Sequence, residues 1–186
     1  MKKILVVVCC GNLNGNTDKL ANSFIEGLLE TGHEVKKVFL GNKDIKGCKG
    51  CGACQLNHHI CAIRDDMQDL YPLVNECDTI VIASPLYFWS ISAIAKSFID
   101  RLYALSTNDK YPRKNSILLM TAGDNQDWTF DHSLSYYHIL TEALGWNDLG
   151  SYLAGGCKGE SGNHSIDEKN LGEVYNFGTV SYTHLT

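Results

Sequence analysis

The sequence has little that would reach toward nucleic acid or lipid. Its formal net charge is −5 and no basic run interrupts it, so it offers no electrostatic footing for a phosphate backbone or an anionic membrane. No apolar stretch approaches the roughly 20 residues that a bilayer-spanning helix needs. The start carries no apolar leader, since Met1-Lys2-Lys3 runs straight into a strand pattern, and the chain is accordingly expected in the cytoplasm. A cytoplasmic chain of 186 residues has no need of disulfide staples. Repeats and low-complexity segments are absent. So is any Ser-His-Asp order or carboxylate pairing of the kind that hydrolytic chemistry uses.

What the chain does have is cysteine, eight in all. Four fall in one stretch, Cys48, Cys51, Cys54 and Cys61, spaced C-x2-C-x2-C-x6-C. Three thiols at three-residue intervals, freed to turn by Gly50 and Gly52, can point at one centre, and Cys61 returns from a short loop to close it. A [4Fe–4S] cubane takes four such thiolates. Tetrahedral zinc takes the same set, and free thiols in a turn are the third possibility. His58 and His59 lie in the same loop and read as exposed polar residues rather than ligands. Cys9, Cys10, Cys77 and Cys157 read as small buried apolar groups.

With 44% hydrophobic residues the chain can bury one core of ordinary size. Short β-branched runs alternate with helical patterns, which predicts a parallel sheet covered on both faces. Ile4-Leu5-Val6-Val7-Val8 is apolar throughout and belongs at the sheet centre. Leu20, Phe24, Ile25, Leu28 and Leu29 recur at helical spacing up to Gly32. Val35, Val38 and Leu40 mark a second strand. Asp65-Asp66 offers an N-cap to a helix bearing Met67, Leu70, Leu73 and Val74, shortened or bent by Pro72. Strands follow at 79–83, 116–120 and within 149–154, and helices at 92–103, 133–144 and 167–177. The result is an α/β three-layer sandwich, flavodoxin-like, with a five-stranded parallel sheet of order 2-1-3-4-5. Residues 180–186 show no apolar periodicity and are expected to be a non-native tail.

In such a sheet the ligand sits at the carboxyl ends of the strands. The first loop carries Cys10, Asn12, Asn14, Gly15, Asn16 and Thr17, where backbone N–H groups and the Asn16 and Thr17 side chains can cradle a phosphate. It lacks the lysine of a triphosphate-binding loop. A plain Asn/Gly connection reads the same way. The second loop, Pro85, Leu86, Tyr87, Phe88 and Trp89, puts three consecutive aromatics where a flat ring system, or a protein partner, would cover them. In the third, Thr121, Ala122, Gly123 and Asp124 let backbone amides approach a ligand edge. Trp128 and Phe130 could lid that ligand or seat the next helix. Asp100-Arg101 reads as an exposed charge pair or a helix-end contact, and His132 and His138 as surface or packing residues.

Asn14-Gly15-Asn16-Thr17, Cys51-Gly52-Ala53-Cys54 with Cys61 and Asp65-Asp66-Met67, Ala83-Ser84-Pro85-Leu86-Tyr87-Phe88, and Lys96-Ser97-Phe98-Ile99-Asp100-Arg101 together resemble the NADPH-dependent FMN reductase superfamily. Within it they resemble the iron-sulfur flavoproteins. The resemblance covers the chain through about Phe177. It implies one FMN-binding domain over 1–179, with the phosphate in the first loop, the isoalloxazine against 85–89 and the pyrimidine edge near 121–124. Where relatives usually carry Ser and a basic residue in the phosphate loop this chain has Cys10 and Asn12, which implies weaker FMN binding.

The resulting expectation is an FMN-dependent oxidoreductase with no catalytic side chain of its own. It would pass electrons from a reduced ferredoxin-like carrier or NAD(P)H, through FMN and a [4Fe–4S] cluster, to an acceptor, as a homodimer or homotetramer. The alternatives are a cluster-free NAD(P)H-dependent FMN or quinone reductase, and a non-enzymatic flavodoxin-type carrier.

Overall fold

A computed structural model describes residues 1–108, 110–159 and 162–181. Its sheet is built on β1 (Lys3–Val8), whose side chains are buried after the first residue. β2 (Glu34–Phe39) flanks one side of β1 and β3 (Thr79–Tyr87) the other, followed by β5 (Asn115–Thr121) and β6 (Asn147–Ala154), in the order β2-β1-β3-β5-β6. All of these pairs are parallel. The short β4 (Ser90–Ile91) lies off this path and pairs antiparallel with the end of β3. The five parallel strands therefore take the predicted order, and the hairpin strand is the addition.

Period-two alternation divides the apolar run of β1 between two layers. Leu5 and Val7 join Ile80, Ile82, Leu118 and Met120 beneath α3 (Met67–Glu76), α4 (Ala93–Arg101) and α5 (Asp131–Leu144). Ile4, Val6 and Val8 join Val81, Ala83, Ile117 and Leu119 beneath α1 (Asn16–Glu30) and α6 (Glu168–Val180). Each such side chain, fully buried, stabilises the fold by about 1.5–3 kcal/mol. On the α1 side, two helical glycines set the helix spacing. A Cβ on Gly27 would collide with the Tyr175 carbonyl, and one on Gly178 with the Phe24 carbonyl.

Helix boundaries follow local chemistry. The Ser92 hydroxyl accepts from Ala95 N–H at 3.1 Å and opens α4. Gly32, at φ +74°, ends the turn after α1 as expected. The last helix runs to Val180, past the predicted end at 177 and into the stretch read as a tail; the rest of that stretch, from 182, lies outside the described residues. The cysteine segment contains α2 (Ala53–Leu56), a single turn that the sequence did not announce. Gly50 and Gly52 are left-handed there, the freedom expected of them.

Two expectations are corrected. Ser84-Pro85-Leu86-Tyr87 is not a loop but the continuation of β3, which outruns its neighbours and turns back through Phe88-Trp89 into β4. Asp100-Arg101 is not one charge pair. Asp100 accepts from Lys96 at 2.5 Å on the surface, whereas Arg101 points inward, with its side chain 1% exposed. Five residues separate Lys96 from Arg101 on a helix with a 3.6-residue turn, so the two face different surroundings.

Candidate cofactor site

The carboxyl ends of β1, β3 and β5 open onto a cavity of about 230 Å³ lined by Cys10, Asn12, Gly15, Asn16, Thr17, Pro85, Leu86, Tyr87, Thr121, Ala122 and Gly123. Leu86, Ala122 and Gly123 also line an adjoining apolar recess of about 260 Å³, completed by Phe88, Trp89 and Asp124. All of the residues read as cofactor-binding line one or the other except Asn14, whose N–H is bonded to Asp18 Oδ2 at 3.0 Å.

The polar end is built on the first turn of α1. Gly15 caps the helix without a side chain, leaving first-turn amides for a ligand. The Thr17 and Thr121 hydroxyls share a hydrogen bond of 2.7 Å, tying the first loop to the third. Asn16 Nδ2 donates to the Lys158 carbonyl at 2.7 Å, while its Oδ1 is buried with no partner. A buried acceptor left open in this way fits a ligand hydroxyl or N–H. Beneath the loop, Asp18 is buried and paired with Lys37 at 2.5 Å. Burial pushes the Cys10 thiol above its usual range, and burial does the same to Cys157, so both line the cradle as neutral groups.

Residues 155–159 and 162–166 form a wall that sequence reasoning missed. Cys157, Gly159 and His164 line the cradle, and Lys19 Nζ donates to the His164 carbonyl at 2.8 Å. The signal was present: Gly155-Gly156 and Gly159 follow the last strand, at the same sheet edge as the other loops.

The apolar end is a two-residue hairpin turn with Phe88 at φ +49° and Trp89 at φ +59°. Both central residues of such a turn need positive φ, which favours Asn-Gly and disfavours bulky aromatics. The indole of Trp89 stacks on Trp128, with centroids 5.8 Å apart and planes 25° from parallel. Ser133 Oγ holds the Trp89 carbonyl at 3.2 Å. Phe88 is 94% exposed. The recess thus presents a flat aromatic edge next to a polar cradle, the shape of a ligand with a ring at one end and an anionic chain at the other.

Of the four segment cysteines, Cys48 and Cys51 are exposed, whereas Cys54 and Cys61 are buried. Among the described residues no three His, Cys, Asp or Glu side chains come together closely enough to hold a metal ion. The donor set suits a four-thiolate centre, but its sulfurs are not gathered in this arrangement. His58 and His59 are exposed and left-handed, and the His59 ring meets Thr107 at 3.5 Å.

A parallel sheet in this order with a cradle and ring recess at its carboxyl edge defines a flavodoxin-like fold. The chain belongs to the NADPH-dependent FMN reductase family, whose pattern matches residues 2–158. An iron-sulfur flavoprotein of Archaeoglobus fulgidus is 42% identical over 88 residues, 47% of this chain and 40% of that protein. A second from the same organism is 31% identical over 135 residues, 67% of this chain and 69% of that protein. The chain spans about half or less of the length of the first three relatives it matches. Among solved structures, an NAD(P)H:quinone oxidoreductase from Methanothermobacter marburgensis shares the fold with a TM-score of 0.77 at 15% identity, over 98% of both chains. An FMN-dependent NADH-azoreductase from Bacillus anthracis aligns with a TM-score of 0.69 at 14% identity, over 100% of this chain and 99% of that one. No helix among the described residues is long and apolar enough to cross a membrane.

Proposed function

We propose that the protein is an FMN-dependent oxidoreductase that passes electrons from NAD(P)H or a reduced carrier to a small-molecule or protein acceptor. The observation that carries this reading is a polar cradle at the first turn of α1 adjoining an aromatic recess, the two sharing Leu86, Ala122 and Gly123. Bound FMN would supply two-electron and one-electron chemistry at its ring. Gly15, Asn16 and Thr17 would hold the phosphate end through their backbone N–H groups and the Thr17 hydroxyl. Pro85, Leu86 and Tyr87 would carry the ring, with the Phe88-Trp89 turn beside it. Thr121, Ala122 and Gly123 would offer backbone groups to its edge. The neutral thiols of Cys10 and Cys157 add no repulsion toward an anionic phosphate. Family membership and the names of the relatives support the same cofactor.

The proposal extends to a [4Fe–4S] cluster on Cys48, Cys51, Cys54 and Cys61, supported by ligand spacing and by relatives named iron-sulfur flavoproteins. It also extends to a reducing, cytoplasmic setting in which those thiols stay available. Assembly into a homodimer or homotetramer is supported by the exposed rings of Tyr87, Phe88, Trp89 and Trp128 around the site mouth. A second reading, the cluster-free NAD(P)H-dependent reductase, has one observation in its favour: the four sulfurs are not gathered.

Two measurements test the proposal. Flavin fluorescence titration should show FMN bound well above riboflavin, and Asn16→Ala with Thr17→Ala should weaken FMN much more than riboflavin; equal affinity for both flavins would remove the phosphate cradle. Anaerobically prepared protein should contain about four irons per chain, the content of a four-thiolate cubane. Iron-free protein that oxidises NAD(P)H at full rate would establish the second reading.

A further inference from the structure

Among the described residues, the largest fully buried side chain is a cation, Arg101. It lies outside the cavity lining described above, and its contacts converge on the cysteine segment. Nη1 donates to the Lys46 carbonyl at 2.8 Å, before Cys48, and Nη2 to the Ile63 carbonyl at 3.3 Å, after Cys61. The same fork grips both Asp65 oxygens, at 2.6 and 3.0 Å. Asp65 in turn accepts from Lys46 N–H at 2.9 Å. One guanidinium therefore closes both roots of the loop that carries all four thiols. The Cys61 thiol and the Tyr71 hydroxyl lie close enough to Arg101 to interact with its charge.

We propose that Arg101 is the positioning residue of the cysteine segment. Its fork fixes the loop roots so that Cys54 and Cys61 are held in place while Cys48 and Cys51 remain free to close on a metal, and its charge faces the anionic thiolate set that results. The metal arm of this inference rests on the four-thiolate reading above; the clasp does not. A buried cation ordinarily costs stability unless paired, and here both Nη atoms are spent on one loop while Nε has no partner. Lysine would keep the charge, but a single ammonium cannot reproduce a planar fork shared among a carboxylate and two carbonyls.

The test uses metal-free, full-length protein with Arg101→Met, Arg101→Lys and Asp65→Asn, titrated with Co(II) alone and followed by the thiolate-to-cobalt charge-transfer band. Hydrogen exchange is recorded in parallel. Arg101→Met should weaken cobalt binding by about ten- to hundredfold, the usual effect of losing an outer partner of a metal site, with faster exchange confined to residues 44–66 and unaltered FMN affinity. Arg101→Lys should fall between wild type and Arg101→Met. Unchanged exchange and unchanged cobalt affinity in Arg101→Met would overturn the proposal. If wild type takes no cobalt, the metal reading fails, while the exchange pattern still decides the clasp. Should Arg101→Met not fold, Arg101→Lys is read in its place, and wild-type exchange at 44–66 in that variant overturns the clasp.

Discussion

Phe88 sits where glycine or asparagine would be cheaper. A bulky residue in the left-handed region costs about 1–2 kcal/mol, and Phe88 recovers little by packing because it is almost wholly exposed. Phe88→Asn should therefore raise the stability of the ligand-free protein by about 1 kcal/mol, read as a higher urea midpoint. Trp89→Gly gives up the stack on Trp128 for the same relief, so its main effect should be on the absorbance of bound flavin. A Trp89 variant that shifted only the oligomer equilibrium would assign the rings to an interface. Asp65 makes a second prediction. Burial works against its charge, but the hydrogen bonds from Arg101 and from Lys46 N–H outweigh burial and hold its carboxyl below the usual range. Its contribution is then complete above the unfolded value of about 3.9 and is lost as the pH falls through the lower folded value. Asp65→Asn should flatten that acid limb of urea midpoints against pH and cost about 3–5 kcal/mol near neutrality, because it leaves a buried arginine half-paired. That the first-loop and aromatic residues would line one sheet edge was legible in the sequence, because loops at the carboxyl ends of parallel strands converge there. The burial of Arg101 was not, because its partners lie 36 and 55 residues away in the chain.

At the scale of elements, α1 and α6 approach through Gly27 and Gly178. Alanine at position 27 would gain about 1 kcal/mol of helix propensity. It would also drive a methyl into a backbone carbonyl that cannot yield cheaply, and overpacking costs about 1–3 kcal/mol. Gly27→Ala should lower the urea midpoint despite the better helix former, whereas Gly172→Ala, with open space around it in α6, should not. The parallel strands and long helices were readable from periodicity because each buries one regular stripe. The Pro85–Tyr87 extension was not, because proline reads as a strand breaker; here it pairs at the strand's outer end, beyond the central register. The turn α2 escaped notice for another reason: four residues are too few to show a period.

For the whole molecule, the cradle joins distant parts of the chain. Lys158 meets Asn16 across 142 residues and His164 meets Lys19 across 145. Lys19→Met should loosen this closure and weaken FMN about three- to tenfold, measured by fluorescence titration, with the riboflavin affinity falling less. Neither contact is readable from local pattern, since both use carbonyls of an irregular segment whose glycines carry no periodicity. Sequence separation on this scale also has a meaning in time. During synthesis the first loop leaves the ribosome 142 to 145 residues before the wall residues that cover it, and domains generally fold as units once their chain is available. A closed cradle is therefore available only after residue 164 has emerged. Because the wall is bonded to the first loop through the chain's own groups, synthesis and loading of the cradle are separable, and ligand supply would govern how much of the protein is loaded without governing how much is made.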